Sequence, residues 1–188
     1  MSKGHLIIFS APSGAGKTTI VRALRKRLPQ LGFSVSATTR PKRKNEIDGQ
    51  DYFFLDVTTF KEKIEKDEFA EWEEVYPGLF YGTLRSEIEK KLDEGGSILF
   101  DIDVVGGLSL KKIFGDKALA IFISPPNLEV LHKRLEQRGT ESEGSLRKRI
   151  EKSDHEMNFA GEFDLVLVND NLEAAIDEAE KLIQDFID

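Results

Sequence analysis

The stretch Ser10 to Thr19, SAPSGAGKTT, constrains this chain more than any other. The apolar run Leu6-Ile7-Ile8-Phe9 leads into it, and an amphipathic pattern beginning at Ile20 leads out. Strand, small-residue loop and helix form the context that a phosphate-binding loop requires. In such a loop successive backbone N–H groups surround a phosphate, and the following helix adds the positive end of its dipole. Gly14 and Gly16 lack a Cβ, so the backbone can approach oxygen closely and take a positive φ. The loop comprises Ala11, Pro12, Ser13, Gly14, Ala15, Gly16, Lys17, Thr18 and Thr19. Its lysine is the point charge that reaches the β- and γ-phosphates of a nucleoside triphosphate, and the Thr18 hydroxyl suits Mg²⁺. The signature G-x-x-x-x-G-K-[ST] has Ala11 in place of its first glycine, a change that is harmless where φ is negative.

A second signal is Ser97-Ile98-Leu99-Phe100-Asp101-Ile102-Asp103. Its continuous apolar run suits a parallel strand buried on both faces, with an acid at the carboxyl end where open α/β sheets bind ligands. Asp101 ends the apolar-apolar-apolar-Asp pattern whose carboxylate holds Mg²⁺ directly or through water. Ala118 to Ile123 and Phe163 to Val168 read as further buried strands. Helical periodicity runs from Gly16 to Leu28, from Leu84 to Asp93, from Leu108 to Phe114, and through Leu172, Ala175, Ile176, Ala179, Leu182, Ile183 and Phe186. This order predicts an α/β core with a mostly five-stranded parallel sheet flanked by helices, built from residues 1–32, 84–126 and 159–188.

Two segments have another texture. Residues 33–83 contain short alternating strands: Phe33 to Arg40, Tyr52 to Leu55, and Phe69 to Tyr76 with Trp72 expected in a small core. They predict an α+β insertion. Its loop Arg40-Pro41-Lys42-Arg43-Lys44 is either a solvated basic patch or an anion site, since arginine grips phosphate with two parallel hydrogen bonds. Tyr52 suits either the insertion's core or the same anion. Residues 127–158 predict a helical pair in which Leu128, Leu131 and Leu135 are core-like and Arg134 and Arg138 share a face. Arg149 follows on the second helix.

Composition narrows the class. A length of 188 residues suits one globular unit, and a formal charge of −7 argues against broad nucleic-acid binding. With no cysteine there is no disulfide or thiolate metal site, and His5, His132 and His155 have no metal-ligand spacing. No apolar run approaches the ~20 residues of a membrane span. No apolar signal segment precedes the first strand, so a cytoplasmic location without membrane partners is expected. A phosphate loop, a basic acceptor site and an arginine-bearing segment together point to phosphoryl transfer, which needs placement and cations more than covalent chemistry.

The chain also resembles guanylate kinase over nearly its whole length. SAPSGAGKTT, FSVSATTRPKR followed by DGQDY, EFAEW, YGT, DID, RLEQRGTES and LVNDNL stand in that family's order and spacing. The resemblance implies a P-loop kinase core, a GMP-binding region at 33–83 and a helical lid at 127–158. It implies transfer of the γ-phosphoryl group of ATP to GMP, with Mg²⁺ as cofactor and GMP and ATP as partners. By the same resemblance Arg40, Arg43, Tyr52 and Tyr81 hold the GMP phosphate, while Ser36, Glu71 and Thr83 read guanine. Guanine's N1–H and 2-amino group suit a carboxylate, and its O6 suits a hydroxyl donor. Thr18 and Asp101 fall to the metal, Asp103 to the border of GMP, and Asn169 to the neighbourhood of adenine. Lys17, Arg134, Arg138 and Arg149 fall to the transferring phosphates.

Val105 stands where the family often has glutamine, and Pro41-Lys42 replaces a more usual Thr-Pro. Two alternatives remain open in the sequence: a non-catalytic guanylate-kinase-like binding module, and a kinase for another nucleoside monophosphate. Oligomeric state is not legible.

Overall fold

The computed structural model describes residues 4–137 and 143–187. Five parallel strands form the central sheet in the order β2-β7-β1-β8-β9: β1 (Leu6–Ser10), β2 (Gly32–Phe33), β7 (Ile98–Asp101), β8 (Ala118–Ser124) and β9 (Leu165–Val168). Side chains of β1 alternate between two layers. Ile7 and Phe9 join Ile20, Val21 and Leu24 of α1 (Lys17–Arg27) and Ile176, Ala179 and Ile183 of α7 (Leu172–Ile187). Leu6 and Ile8 join Ile88 of α3 (Arg85–Asp93) and Val104 and Leu110 of α4 (Val104–Phe114). Burial on both faces explains the unbroken apolar runs of β1, β7 and β8.

A second, four-stranded sheet has the order β4-β3-β6-β5: β3 (Ala37–Thr38), β4 (Phe53–Phe54), β5 (Phe69–Tyr76) and β6 (Leu79–Leu84). Helix α2 (Val57–Glu65) covers it with Phe60, stacked on Phe69 and Phe80 at ring separations of 4.3 and 5.3 Å. Helices α5 (Leu128–Gln137) and α6 (Glu143–Met157) complete the described chain.

Several local expectations change. The alternating stretch 33–40 is two strands, not one: Phe33 pairs with Leu99 in the central sheet, and Ala37 pairs with Phe53 and Gly82 in the second. Trp72 is 45 % exposed rather than core, because the inward residue of that register is Glu71, 7 % exposed. Helix α4 begins at Val104, four residues before the expected start, with Asp103 as its N-cap accepting from the Gly106 N–H at 2.9 Å. Gly106 and Gly107 hid that turn. They are small because a Cβ would meet Glu71 Oε2 at 2.7 Å or Ser10 Oγ at 2.2 Å. Leu128 is exposed, and β9 is an edge strand in which only Leu167 is buried.

Candidate active site

The phosphate loop lies between β1 and α1, at the carboxyl ends of the parallel strands, where α/β sheets bind ligands. Gly14 and Gly16 take φ of 95° and 96°, whereas Ala11 is not among the positive-φ residues, so its methyl is tolerated. Gly16 is required twice over, since a Cβ there would lie 2.3 Å from Asn169 Nδ2. Asn169 is buried beneath the loop and donates from Nδ2 to the Ala15 carbonyl at 2.7 Å, while its own N–H is tied to Ser124 O at 2.7 Å. It therefore fixes the loop's shape. Arg134 on α5 reaches the Asn169 carbonyl at 3.2 Å.

Lys17 leaves the first turn of α1 and crosses to β7, where Nζ meets Asp101 Oδ1 at 2.8 Å and donates to the Ile102 carbonyl. A cavity of about 430 Å³ opens above it. The loop residues Ala11 to Gly14 and Gly16 to Thr19 line one wall, and Ser36, Glu71, Tyr81 and Asp103 line another. Arg149, Lys152 and Glu156 of α6 complete it. A second cavity of about 640 Å³ carries Arg22, Arg25, Arg40, Arg43 and Lys44. Thr18, Ser36, Tyr52, Tyr81 and Asp101 border both. Thus the phosphate-type loop and a basic, carboxylate-bearing region meet in two cavities that share five lining residues.

Glu71 sits at the inner end of the cleft, opposite Thr83 in the strand pairing. Burial pushes its carboxyl up to about 7; the Thr83 hydroxyl pulls the other way, and Asp103 and Glu73 add to the rise. Thr83 is fully buried, and its Oγ1 has no well-formed partner within the protein. Thr83 and Asn169 do not line the cavity wall, although each touches a residue that does or that shapes the loop. Tyr52 and Tyr81 meet edge-on at 6.1 Å, and burial raises the Tyr52 phenol. The Arg40 guanidinium lies 5.3 Å from the Tyr52 ring centre. Arg138 lies outside the described residues.

Sequence reasoning did not single out Glu46, Glu73, Lys152, Ser153 or Glu156. Ser153 Oγ donates to the Ser13 carbonyl at 3.3 Å, and the Glu156 carboxyl lies near the Ser13 backbone, which offsets part of the rise that burial gives it. Burial raises the Glu73 and Glu156 carboxyls. An acid two residues past the Arg40–Lys44 run of cations was the one visible cue for Glu46. Among the described residues no group of three or more His, Cys, Asp or Glu could hold a metal by itself. No described helix is long and apolar enough to cross a membrane.

The family model for guanylate kinase matches residues 3–186. The guanylate kinase of Bacteroides thetaiotaomicron is 50% identical over 184 residues, covering 98% of this chain and 90% of that protein. That of Salinibacter ruber is 47% identical over 187 residues, covering 100% of this chain and 99% of that protein. The crystal structure of guanylate kinase from Anaplasma phagocytophilum superposes with a TM-score of 0.78 at 30% identity, covering 98% of this chain and 87% of that one.

Proposed function

Because the chain belongs to the guanylate kinase family and is an enzyme of that kind, we propose that it carries the γ-phosphoryl group of ATP in line to a phosphate oxygen of GMP, with Mg²⁺ and closure of the 127–158 segment. The observation that carries this reading is the single cleft shared by the Ala11–Thr19 loop and the Ser36, Glu71, Tyr81 and Asp103 wall.

In this reading the loop N–H groups and Lys17 hold the β- and γ-phosphates, and Lys17 exchanges its tie to Asp101 for nucleotide oxygen. Asn169 keeps the loop in its binding shape from below. Arg40, Arg43, Tyr52 and Tyr81 hold the acceptor phosphate, with the planar guanidinium fork suited to it. The Glu71 carboxylate accepts from guanine N1–H and the 2-amino group, while Ser36 and Thr83 supply hydroxyls. The buried Thr83 hydroxyl lies against the Glu71 carboxyl, so the two polar groups meant for the base stand side by side. Adenine would leave these groups unpaired, which is how such sites discriminate. Arg134, Arg138 and Arg149 gather charge around the moving group and, on closure, exclude water.

Mg²⁺ bound with a nucleotide keeps several waters and takes one or two protein oxygens. Thr18 and Asp101, both bordering the cleft, fit that demand. Bound there, the ion neutralises developing charge on the phosphate oxygens. The test is product analysis after incubation with ATP and GMP. ADP and GDP in equal amounts, abolished by chelation and restored by Mg²⁺, are expected. ATP hydrolysis without GDP would refute the acceptor assignment.

A further inference from the structure

Among the acceptor-side residues, Arg40 has its guanidinium already gripped from within the chain. Nη2 meets Glu46 Oε1 at 2.7 Å, and Nη1 meets Glu46 Oε2 at 2.9 Å and the Pro41 carbonyl at 2.9 Å. The same Oε2 accepts from the Arg43 N–H at 2.7 Å, and the Glu46 N–H returns to the Arg43 carbonyl at 3.2 Å. One carboxylate therefore closes the loop that carries both arginines and orients the guanidinium of the first.

A guanidinium has two two-pronged edges. Glu46 occupies the end-on edge of Arg40. Glu46 leaves the side edge, formed by Nε and the second hydrogen of Nη2, for a phosphate, and the Tyr81 hydroxyl, itself read as an acceptor-phosphate group, also contacts this guanidinium. The Tyr52 and Phe54 rings lie 5.3 and 5.7 Å from the guanidinium carbon and restrain its rotation. From this geometry we infer that Glu46 is a positioning residue of the acceptor site, holding Arg40 and the Arg43 backbone so that the phosphate of the accepting nucleotide meets a preset arginine edge. The inference rests on reading Arg40 as an acceptor-phosphate group. It runs against the simpler expectation that an acid beside this site repels or competes with phosphate.

The test compares Glu46→Ala, Glu46→Gln, Arg40→Ala and the Arg40→Ala/Glu46→Ala double variant of the full chain, using GMP and ATP as probes. Glu46→Ala is expected to raise KM for GMP by about tenfold, with KM for ATP within about twofold. Tm should stay within about 3 °C, so lost folding does not account for the change. Glu46→Gln should fall between, since its amide oxygen still accepts from Arg43 N–H while its NH₂ cannot accept from Arg40. Since Glu46 acts largely through Arg40, the double variant should fall well short of the product of the two single effects, any excess over Arg40→Ala being the share carried by the Arg43 backbone. An unchanged or lower KM for GMP in Glu46→Ala, beside a raised one in Arg40→Ala, would overturn the positioning role and leave the site reading intact. Additive effects in the double variant would also overturn it. An unchanged KM in Arg40→Ala would overturn the acceptor-site reading and this inference with it.

Discussion

A carboxyl group held away from water beside two other acids resists ionisation, and Glu71 is in that position at the inner end of the cleft. Its pKa of about 7 against an ordinary 4.5 has two consequences of opposite use. Between those values the folded protein keeps a proton that the unfolded chain releases, so stability of the ligand-free protein should fall as pH rises through the window. Thermal denaturation across pH 5 to 8 checks this, and Glu71→Gln should flatten that slope. On the proposed reading guanine needs the ionised form, so KM for GMP should rise by about tenfold per pH unit below about pH 7, while KM for ATP stays level. A flat GMP profile would remove Glu71 from the base-reading role. For Lys17→Ala the expected loss is mainly in turnover, by about 10²-fold or more in kcat. Alternation alone put Trp72 in a core; the family resemblance was what marked Glu71. Strand periodicity says that two faces differ, not which one is buried, and here the buried face carries the acid.

At the level of elements, the phosphate loop is rigid because its turns and its support agree. Gly16 needs both its positive φ and the space that Asn169 fills. Gly16→Ala should therefore cost more than the roughly 1–2 kcal/mol of left-handed strain, while Ala11→Gly should cost at most about 1 kcal/mol through unfolded-chain entropy. Urea denaturation separates the two; equal effects would contradict the account of Asn169 as the loop's support. In the second sheet, Phe60→Ala should cost about 3–5 kcal/mol, because that fully buried ring stacks on two others. The exposed Trp72→Ala should cost far less. The strands of the central sheet were legible because burial on both faces writes an unbroken apolar run. Two elements were not. The stretch 33–40 crosses from one sheet to the other without breaking its alternation, and the first turn of α4 is masked by glycines that exist for close packing rather than for a turn.

In the whole molecule, a parallel sheet supplies the phosphate loop and Asp101, a second sheet supplies Glu71 and Tyr81, and α6 brings Arg149, Lys152 and Glu156 to the same cleft. The strand–helix order made the α/β core readable, since parallel strands need crossover helices and the loop must follow a strand. Convergence was not readable. Ser13 meets Ser153 140 residues away, and Lys17 meets the carbonyl of Ile102 across 85 residues, with no local pattern to announce either contact. The account therefore stands or falls on whether this cleft selects guanine for phosphorylation. The most direct measurement is kcat/KM for GMP, AMP, UMP and dTMP at saturating ATP and Mg²⁺. GMP should exceed each of the others by roughly 10³-fold or more, as expected when buried polar groups read the base. A preference for AMP, or comparable values for all four, would contradict it.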